Sequence, residues 1–248
     1  MQPTTTTVGV LALQGGFSEH VDLVRSAAAQ LADSLPTTVT AVEVRTPDDL
    51  TRCDALIIPG GESATISLIA RRTGLVEPLR EFVNVLKKPT WGTCAGLILL
   101  SKEAKAAKQS DLALIGGLDV CVHRNHFGRQ FDSFTAPLDL PFLPDSATKP
   151  FVGFFIRAPI VEEVLRPSTT SDKPSSTEGV TIVARLPDHL NGAKNKTITS
   201  EVVVSGAAGD IVAVRQGNVL GTSFHPELTP DARMHAWFLQ EFVLKSRA

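Results

Sequence analysis

Short apolar runs alternate along this chain with longer stretches of helical periodicity, and that alternation limits the folds open to it. Val8–Leu13, Val39–Val44, Ala55–Ile58, Val120–Val122 and Phe151–Ile156 read as strands, as do Ile182–Ala184, Val202–Val204, Ile211–Val214 and Leu220–Phe224. Between the first two, Val21, Val24, Ala28 and Leu31 form one helical stripe, with Ser18 as its expected cap. Residues 63–72 and 75–87 are expected helices. The last helix is expected to open with Thr229 as cap and Pro230 at its first position, burying Met234, Trp237, Phe238 and Phe242. Strands alternating with helices over the first 100 residues mean βαβ units. The expected fold is therefore α/β, a mostly parallel central sheet with helices on both faces, and the β-rich stretch from 120 to 224 adds antiparallel strands.

A chain of 248 residues can bury a core without disulfide or metal staples, and it is read as a single domain, 1–248. Residues 166–200 interrupt the rhythm with Pro167, Pro174, Pro187 and a Ser/Thr cluster, so a surface insertion is expected there. The 24 basic and 26 acidic residues give a net charge of −2, which argues against electrostatic binding to nucleic acid or to an anionic membrane. No apolar run approaches the ~20 residues of a membrane span. The first 24 residues carry no Lys or Arg, so no secretory n-region is expected. The three cysteines, Cys53, Cys94 and Cys121, are too few for a disulfide framework and read as reduced thiols of a cytoplasmic protein.

One cysteine has a setting of its own. Gly92-Thr93-Cys94-Ala95-Gly96 follows the extended stretch Pro89–Trp91 and precedes the apolar run Leu97–Leu100. This is the small-x-nucleophile-x-small pattern of a strand-to-helix elbow, where the tight turn demands tiny neighbours and the helix start favours a thiolate. Near the other end, Ser223-Phe224-His225-Pro226-Glu227 closes a strand. Pro226 biases His225 toward an extended conformation, so His225 and Glu227 share a face: a base with a carboxylate to orient it. Taken alone, each segment also reads blandly, as a buried cysteine between packing glycines and as a turn histidine beside a helix-start glutamate.

Pro59-Gly60-Gly61-Glu62-Ser63 follows a strand, and its glycines allow backbone N–H groups to converge on a developing oxyanion. The alternative is an ordinary turn, with Ser63 capping the next helix. No Walker loop or dinucleotide fingerprint is present. Arg124 and Arg157 stand in compact contexts suited either to gripping a carboxylate or to a structural ion pair. Cys121 and His123 alternate on one strand face, but two ligands do not make a metal site.

Six segments in order resemble the class I glutamine amidotransferases, and within them the glutaminase subunits of pyridoxal 5′-phosphate synthase. They are Gly9-Val10-Leu11-Ala12-Leu13-Gln14-Gly15, Pro59-Gly60-Gly61-Glu62-Ser63, Gly92-Thr93-Cys94-Ala95-Gly96-Leu97-Ile98, Arg124-Asn125-His126-Phe127-Gly128-Arg129-Gln130, Phe155-Ile156-Arg157-Ala158-Pro159 and Ser223-Phe224-His225-Pro226-Glu227-Leu228-Thr229. The resemblance implies Cys94 as nucleophile, His225 as base and Glu227 as its orienter. It implies a glutamine site at Gly60, Gly61, Glu62, Arg124, Ile156 and Arg157, with oxyanion donors at Gly61 and Ala95. Gln14 would lie near the active site and a partner interface. The implied reaction is hydrolysis of L-glutamine to glutamate and ammonia without metal or cofactor, the ammonia passing to a synthase subunit that builds the coenzyme. Gly16 and Ala64 depart from the family pattern, where alanine and threonine are expected. The length of the 166–200 segment points to a eukaryotic, fungal-like form. Rival readings are a glutaminase of another amidotransferase pathway, a non-catalytic regulatory subunit, and a cysteine peptidase or chaperone-like relative.

Overall fold

The computed structural model describes residues 5–32, 37–105, 112–124, 133–165, 179–187 and 210–245. In chain order, β1 (Thr5–Leu11), α1 (Phe17–Gln30), β2 (Thr38–Val44), α2 (Pro47–Thr51), β3 (Ala55–Ile58) and α3 (Ser63–Arg72) come first. Next are α4 (Val76–Arg80), β4 (Thr90–Thr93), α5 (Ala95–Leu100), β5 (Ser101–Lys105), β6 (Leu118–His123), β7 (Ser133–Leu138) and β8 (Phe151–Ile156). The chain ends through β9 (Ile160–Val164), β10 (Thr181–Arg185), β11 (Ile211–Gln216), β12 (Val219–Thr222) and α6 (Arg233–Phe238).

A ten-stranded sheet runs β2-β1-β3-β4-β12-β11-β9-β6-β5, with β10 paired to β11. The pairs from β2 through β12 are parallel, as is β5 with β6. Strands β9, β10, β11 and β12 supply the antiparallel pairings with one another and with β6. The expected α/β architecture with added antiparallel strands is thus present. Strands β7 and β8 form a separate antiparallel pair.

Alternation along the central strands divides the core. Ala55 and Ile57 of β3 join Val8, Val10, Trp91 and Leu220 in one apolar layer, which α1 and α6 cover with Val24, Ala27, Met234 and Phe238. Leu56 and Ile58 point the other way, into a layer with Leu97, Leu100, Ile66, Leu75 and Leu79 from α3, α4, α5 and the turns beside them. A strand buried on both faces reads as an unbroken apolar run, which is why Ala55–Ile58 was visible in the sequence.

Several boundaries differ from expectation. Helix α1 starts at Phe17 with Gly16 as cap, placing Ser18 inside the first turn. The start is set by backbone bonds of the glycine loop, Gly16 N–H to Gly60 O and Phe17 N–H to Gly15 O, instead of by a side chain. Ser63 is likewise the first helical residue of α3, and the cap is Glu62, whose carboxylate accepts from Thr65 N–H. The helix expected over 75–87 is α4 followed by a π-helical turn, Glu81–Val85. At the C-terminus, Pro226–Leu228 makes a single 3₁₀ turn and α6 begins only at Arg233. Thr229 Oγ1 accepts from Asp231 N–H, so it closes a local turn and does not cap α6. The expected strand Val202–Val204 lies outside the described residues. Of the 166–200 stretch, 179–187 is described, and it contains β10.

The elbow glycines are explained by contact. A Cβ on Gly96 would stand 2.1 Å from the Ile58 carbonyl oxygen, and one on Gly92 would stand 2.5 Å from the Gly96 carbonyl carbon. Neither neighbour is a movable side-chain tip. Gly96→Ala is therefore expected to lower stability by about 1–3 kcal/mol or more in denaturant unfolding. Gly179→Ala, with nothing within 4 Å of its added Cβ, is expected to stay within about 0.5 kcal/mol of wild type.

Candidate active site

The C-terminal ends of four neighbouring strands converge. Leu13–Gly16 follows β1, Pro59–Glu62 follows β3, Cys94 follows β4, and Ser223–Glu227 follows β12. The order β2-β1-β3-β4 reverses direction between β1 and β3, and a crevice at such a reversal is where open α/β sheets bind ligands. The first two loops lock together there. Glu62 N–H donates to Gln14 Oε1 at 2.7 Å, and a Cβ on Gly15 would lie 1.8 Å from Gly60 O.

Cys94 sits between β4 and α5 with φ +46° and ψ −97°, a conformation rare for a residue with a side chain. Its N–H donates to Thr222 O of β12 at 2.7 Å, and its carbonyl accepts from Ile98 N–H of α5. The strand and the helix thus hold the turn from both sides, the kind of over-determined strain that positions a reactive group. Across from it, His225 N–H donates to Phe154 O of β8 at 2.8 Å, which fixes the backbone of the histidine.

His225 Nδ1 lies 2.7 Å from Glu227 Oε1, and the ring shares its cavity with the Cys94 side chain. His225 itself has extended backbone, but Glu227 lies in the 3₁₀ turn, so a tight turn and not a continued extended chain brings the two side chains together. Burial opposes a charge on His225, yet Cys94 and the Glu227 carboxylate outweigh it and push the imidazole up to about 10. Burial likewise opposes a charge on Glu227, but His20 and His225 outweigh it and hold this carboxyl well below the ordinary glutamate range. Burial pushes the Cys53 thiol up to about 11 and raises that of Cys121. Buried thiols so shifted are poor nucleophiles at neutral pH.

A cavity of about 310 Å³ opens onto the sulfur. Its lining includes Gln14, Gly61, Glu62, Cys94, Arg124, Ile156, Arg157 and His225, joined by Ser63 and Ile98, which sequence reasoning missed. Gly60 and Ala95 are not in that lining. Gly60 lies behind the imidazole, where an added Cβ would approach His225 Cε1 to 2.3 Å. Ala95 is the first residue of α5, so its N–H belongs to the helix start beside the sulfur and has no partner within the helix. Arg124 Nη2 stands 3.7 Å from Glu62 Oε1 at the cavity, and Arg157 adopts φ +43° just beyond β8. Segment 125–130 lies outside the described residues. Among the described residues, no group of three or more His, Cys, Asp or Glu side chains is arranged to hold a metal ion.

Against known proteins, the SNO glutamine amidotransferase family model matches residues 10–193 and 189–244. This chain belongs to that family. Its relatives include the probable pyridoxal 5′-phosphate synthase subunit SNO3 of Saccharomyces cerevisiae, 43% identical over 248 residues and covering 98% of each chain. The probable pyridoxal 5′-phosphate synthase subunit PDX2 of Arabidopsis thaliana is 41% identical, covering 94% of this chain and 85% of the relative. The pyridoxal 5′-phosphate synthase subunit PdxT of Pyrococcus furiosus is 40% identical, covering 95% and 98%. A crystal structure of a glutamine amidotransferase superposes with a TM-score of 0.67 at 37% identity, covering 94% of this chain and 97% of that one.

The deepest part of the site was not legible in the sequence. Behind Glu227 lie His20 of α1 and His235 of α6, both fully buried. His20 stands on the same stripe as Val24 and Ala27, and a histidine on a buried stripe was the available signal.

The depressed Glu227 has a consequence for stability. A carboxylate whose folded-state pKa is lowered stabilises the fold above its ordinary value of 4.5 and loses that contribution as pH falls below it. In denaturant unfolding between pH 7 and pH 3, Glu227→Gln is expected to remove about 1.4 kcal/mol per pH unit from the acid slope below about 4.5.

Proposed function

We propose that this chain hydrolyses L-glutamine to L-glutamate and ammonia, and delivers the ammonia to the synthase subunit of a pyridoxal 5′-phosphate synthase for vitamin B6 formation. The observation that carries this reading is the Cys94–His225–Glu227 arrangement on the floor of a small polar cavity, in a chain of the amidotransferase family. Relatives from yeast, plant and archaeon that bear the synthase-subunit name at about 40% identity support the pathway over other amidotransferases. All 248 residues are read as one glutaminase domain with an insertion at about 166–200. Unbridged Cys53, Cys94 and Cys121 support a cytoplasmic setting. No helix among the described residues is long and apolar enough to cross a membrane.

The Cys94 thiolate attacks the side-chain amide carbon of glutamine, and the oxyanion takes hydrogen bonds from Gly61 N–H and Ala95 N–H. His225, held as imidazolium by Glu227, gives its proton to the leaving nitrogen. The C–N bond breaks, ammonia departs, and a glutamyl thioester remains. His225 then takes a proton from water, the hydroxide displaces sulfur, and glutamate leaves with the thiolate restored. Arg124 and Arg157 suit the α-carboxylate of the substrate and Glu62 its ammonium group, with Gly60, Gly61 and Ile156 shaping the site. Gln14 secures the oxyanion loop through Glu62 N–H and faces the synthase. Since bulk water would protonate or dilute the ammonia, the two subunits work as one complex.

Ammonia release from glutamine, measured with and without the synthase subunit, tests the reading. Release that rises on adding the synthase is expected. Cys94→Ala and His225→Ala are expected to abolish it while leaving the fold intact, and near-normal turnover in either would overturn the assignment. Arg124→Ala is expected to raise KM for glutamine about tenfold or more with a smaller change in kcat, as loss of a substrate-holding contact does.

A further inference from the structure

Glu227 is a buried carboxylate whose two oxygens are treated differently. Oε1 accepts from His225, while Oε2 has no linear hydrogen bond and faces His20 Nε2 at 3.2 Å. His20 Nε2 is also 3.3 Å from Thr93 Oγ1 of β4, so the nitrogen sits beside both the hydroxyl and the carboxylate. On its far side, His20 Nδ1 lies 2.9 Å from His235 Nε2. Trp91 packs against both rings, with centroids 5.9 Å from His20 and 4.9 Å from His235.

The proton positions follow from what is paired. His235 is fully enclosed, and burial holds its imidazole well below the ordinary value, so it carries one ring proton. His235 Nδ1 has no hydrogen-bond partner. A proton placed there would be a buried donor without a partner, which folded proteins avoid. The proton therefore sits on Nε2 and is donated to His20 Nδ1. With Nδ1 accepting, the His20 ring donates through Nε2, which lies 3.3 Å from Thr93 Oγ1 and 3.2 Å from Glu227 Oε2. The groups facing His20 are Glu227 of the 3₁₀ turn, Thr93 and Trp91 of β4, and His235 of α6, and beyond Glu227 lie His225 and Cys94.

We infer that His20 is a positioning residue for the glutaminase reaction: it steers Oε2 so that Oε1 stays on His225, and His235 locks the His20 tautomer that makes this possible. The inference rests on the glutaminase reading for its rate prediction, but not for its effect on the reactivity of Cys94. Without the His20 ring, Oε2 loses its nearest polar neighbour and Glu227 is free to turn away from His225. The imidazole then loses its orienter, and the sulfur loses its activated partner. Nothing in this arrangement touches substrate, so the effect falls on kcat and not on KM.

Two measurements on the same variants test it. The first is the rate of Cys94 alkylation by iodoacetamide at neutral pH, located by mass spectrometry, on the full chain. The second is kcat and KM for glutamine in the complex with the synthase subunit. His20→Leu is expected to slow both alkylation and kcat about tenfold or more, with KM changed less than about threefold. His20→Gln, whose amide restores a donor toward Oε2, is expected to recover most of both. Equal losses in His20→Leu and His20→Gln, with wild-type melting in each, would overturn the positioning role, as would retention of both rates within twofold in His20→Leu.

Should His20→Leu fail to fold, His235→Phe keeps the ring against Trp91 and removes only the lock. Histidine ¹⁵N spectra should then show His20 shifting from a single Nε2–H tautomer to a mixture, and an unchanged spectrum would overturn the inference. A slowed alkylation in His20→Leu, with no glutamine turnover even in wild type, would sustain the positioning role while removing the glutaminase reading.

Discussion

The site depends on one ion buried where an ion is expensive. Glu227 is 6% exposed, and taking a carboxylate out of water costs several kcal/mol unless nearby donors compensate. The compensation comes from two histidines on opposite sides, His225 at 2.7 Å and His20 at 3.2 Å. Much of the surrounding construction serves that placement. The 3₁₀ turn of Pro226–Leu228 sets Glu227 beside His225, Gly60 and Gly16 leave room around the pair, and α1 and α6 deliver the two inner histidines. An alanine at position 16 would put its Cβ 3.0 Å from Glu227 Cγ and Oε1. Glycine here, where the family pattern suggests alanine, thus gives the carboxylate slightly more room.

The sheet explains how residues far apart in sequence reach one point. Parallel neighbours β1, β3, β4 and β12 all end on the same side, so the loops that follow them meet. Each loop brings a different element: a locked glutamine and glycine pair, a glycine turn with a capping glutamate, a strained cysteine, and a histidine with its carboxylate partner. The cavity mouth is completed by residues around β6 and β8, Arg124 and Ile156 with Arg157, on the antiparallel side of the molecule. The parallel half thus holds Cys94, His225, Glu227 and Glu62, and the antiparallel half holds Arg124 and Arg157.

Much of this was legible in the sequence because it is local. The run Ala55–Ile58 announced a strand buried on both faces, and Gly92-Thr93-Cys94-Ala95-Gly96 announced an elbow whose glycines prove to be contact requirements. His225 and Glu227, two residues apart, were read as partners on the right residues but through the wrong local geometry, since a turn and not an extended chain joins them. What stayed hidden is non-local. Helix starts moved because the Gly16–Gly60 backbone bond, between residues 44 apart, outweighs a nearby serine. The His20–His235 contact spans 215 residues and has no motif, so only packing reveals it.

The most direct test of this account is to treat the folded chain with a glutamine-mimicking chloroketone and map the adduct by mass spectrometry. The account predicts a single adduct on Cys94, protected by free glutamine and formed far more slowly in Glu227→Gln. Labelling of Cys53 or Cys121 at a comparable rate, or an adduct on Cys94 indifferent to both glutamine and Glu227, would contradict it.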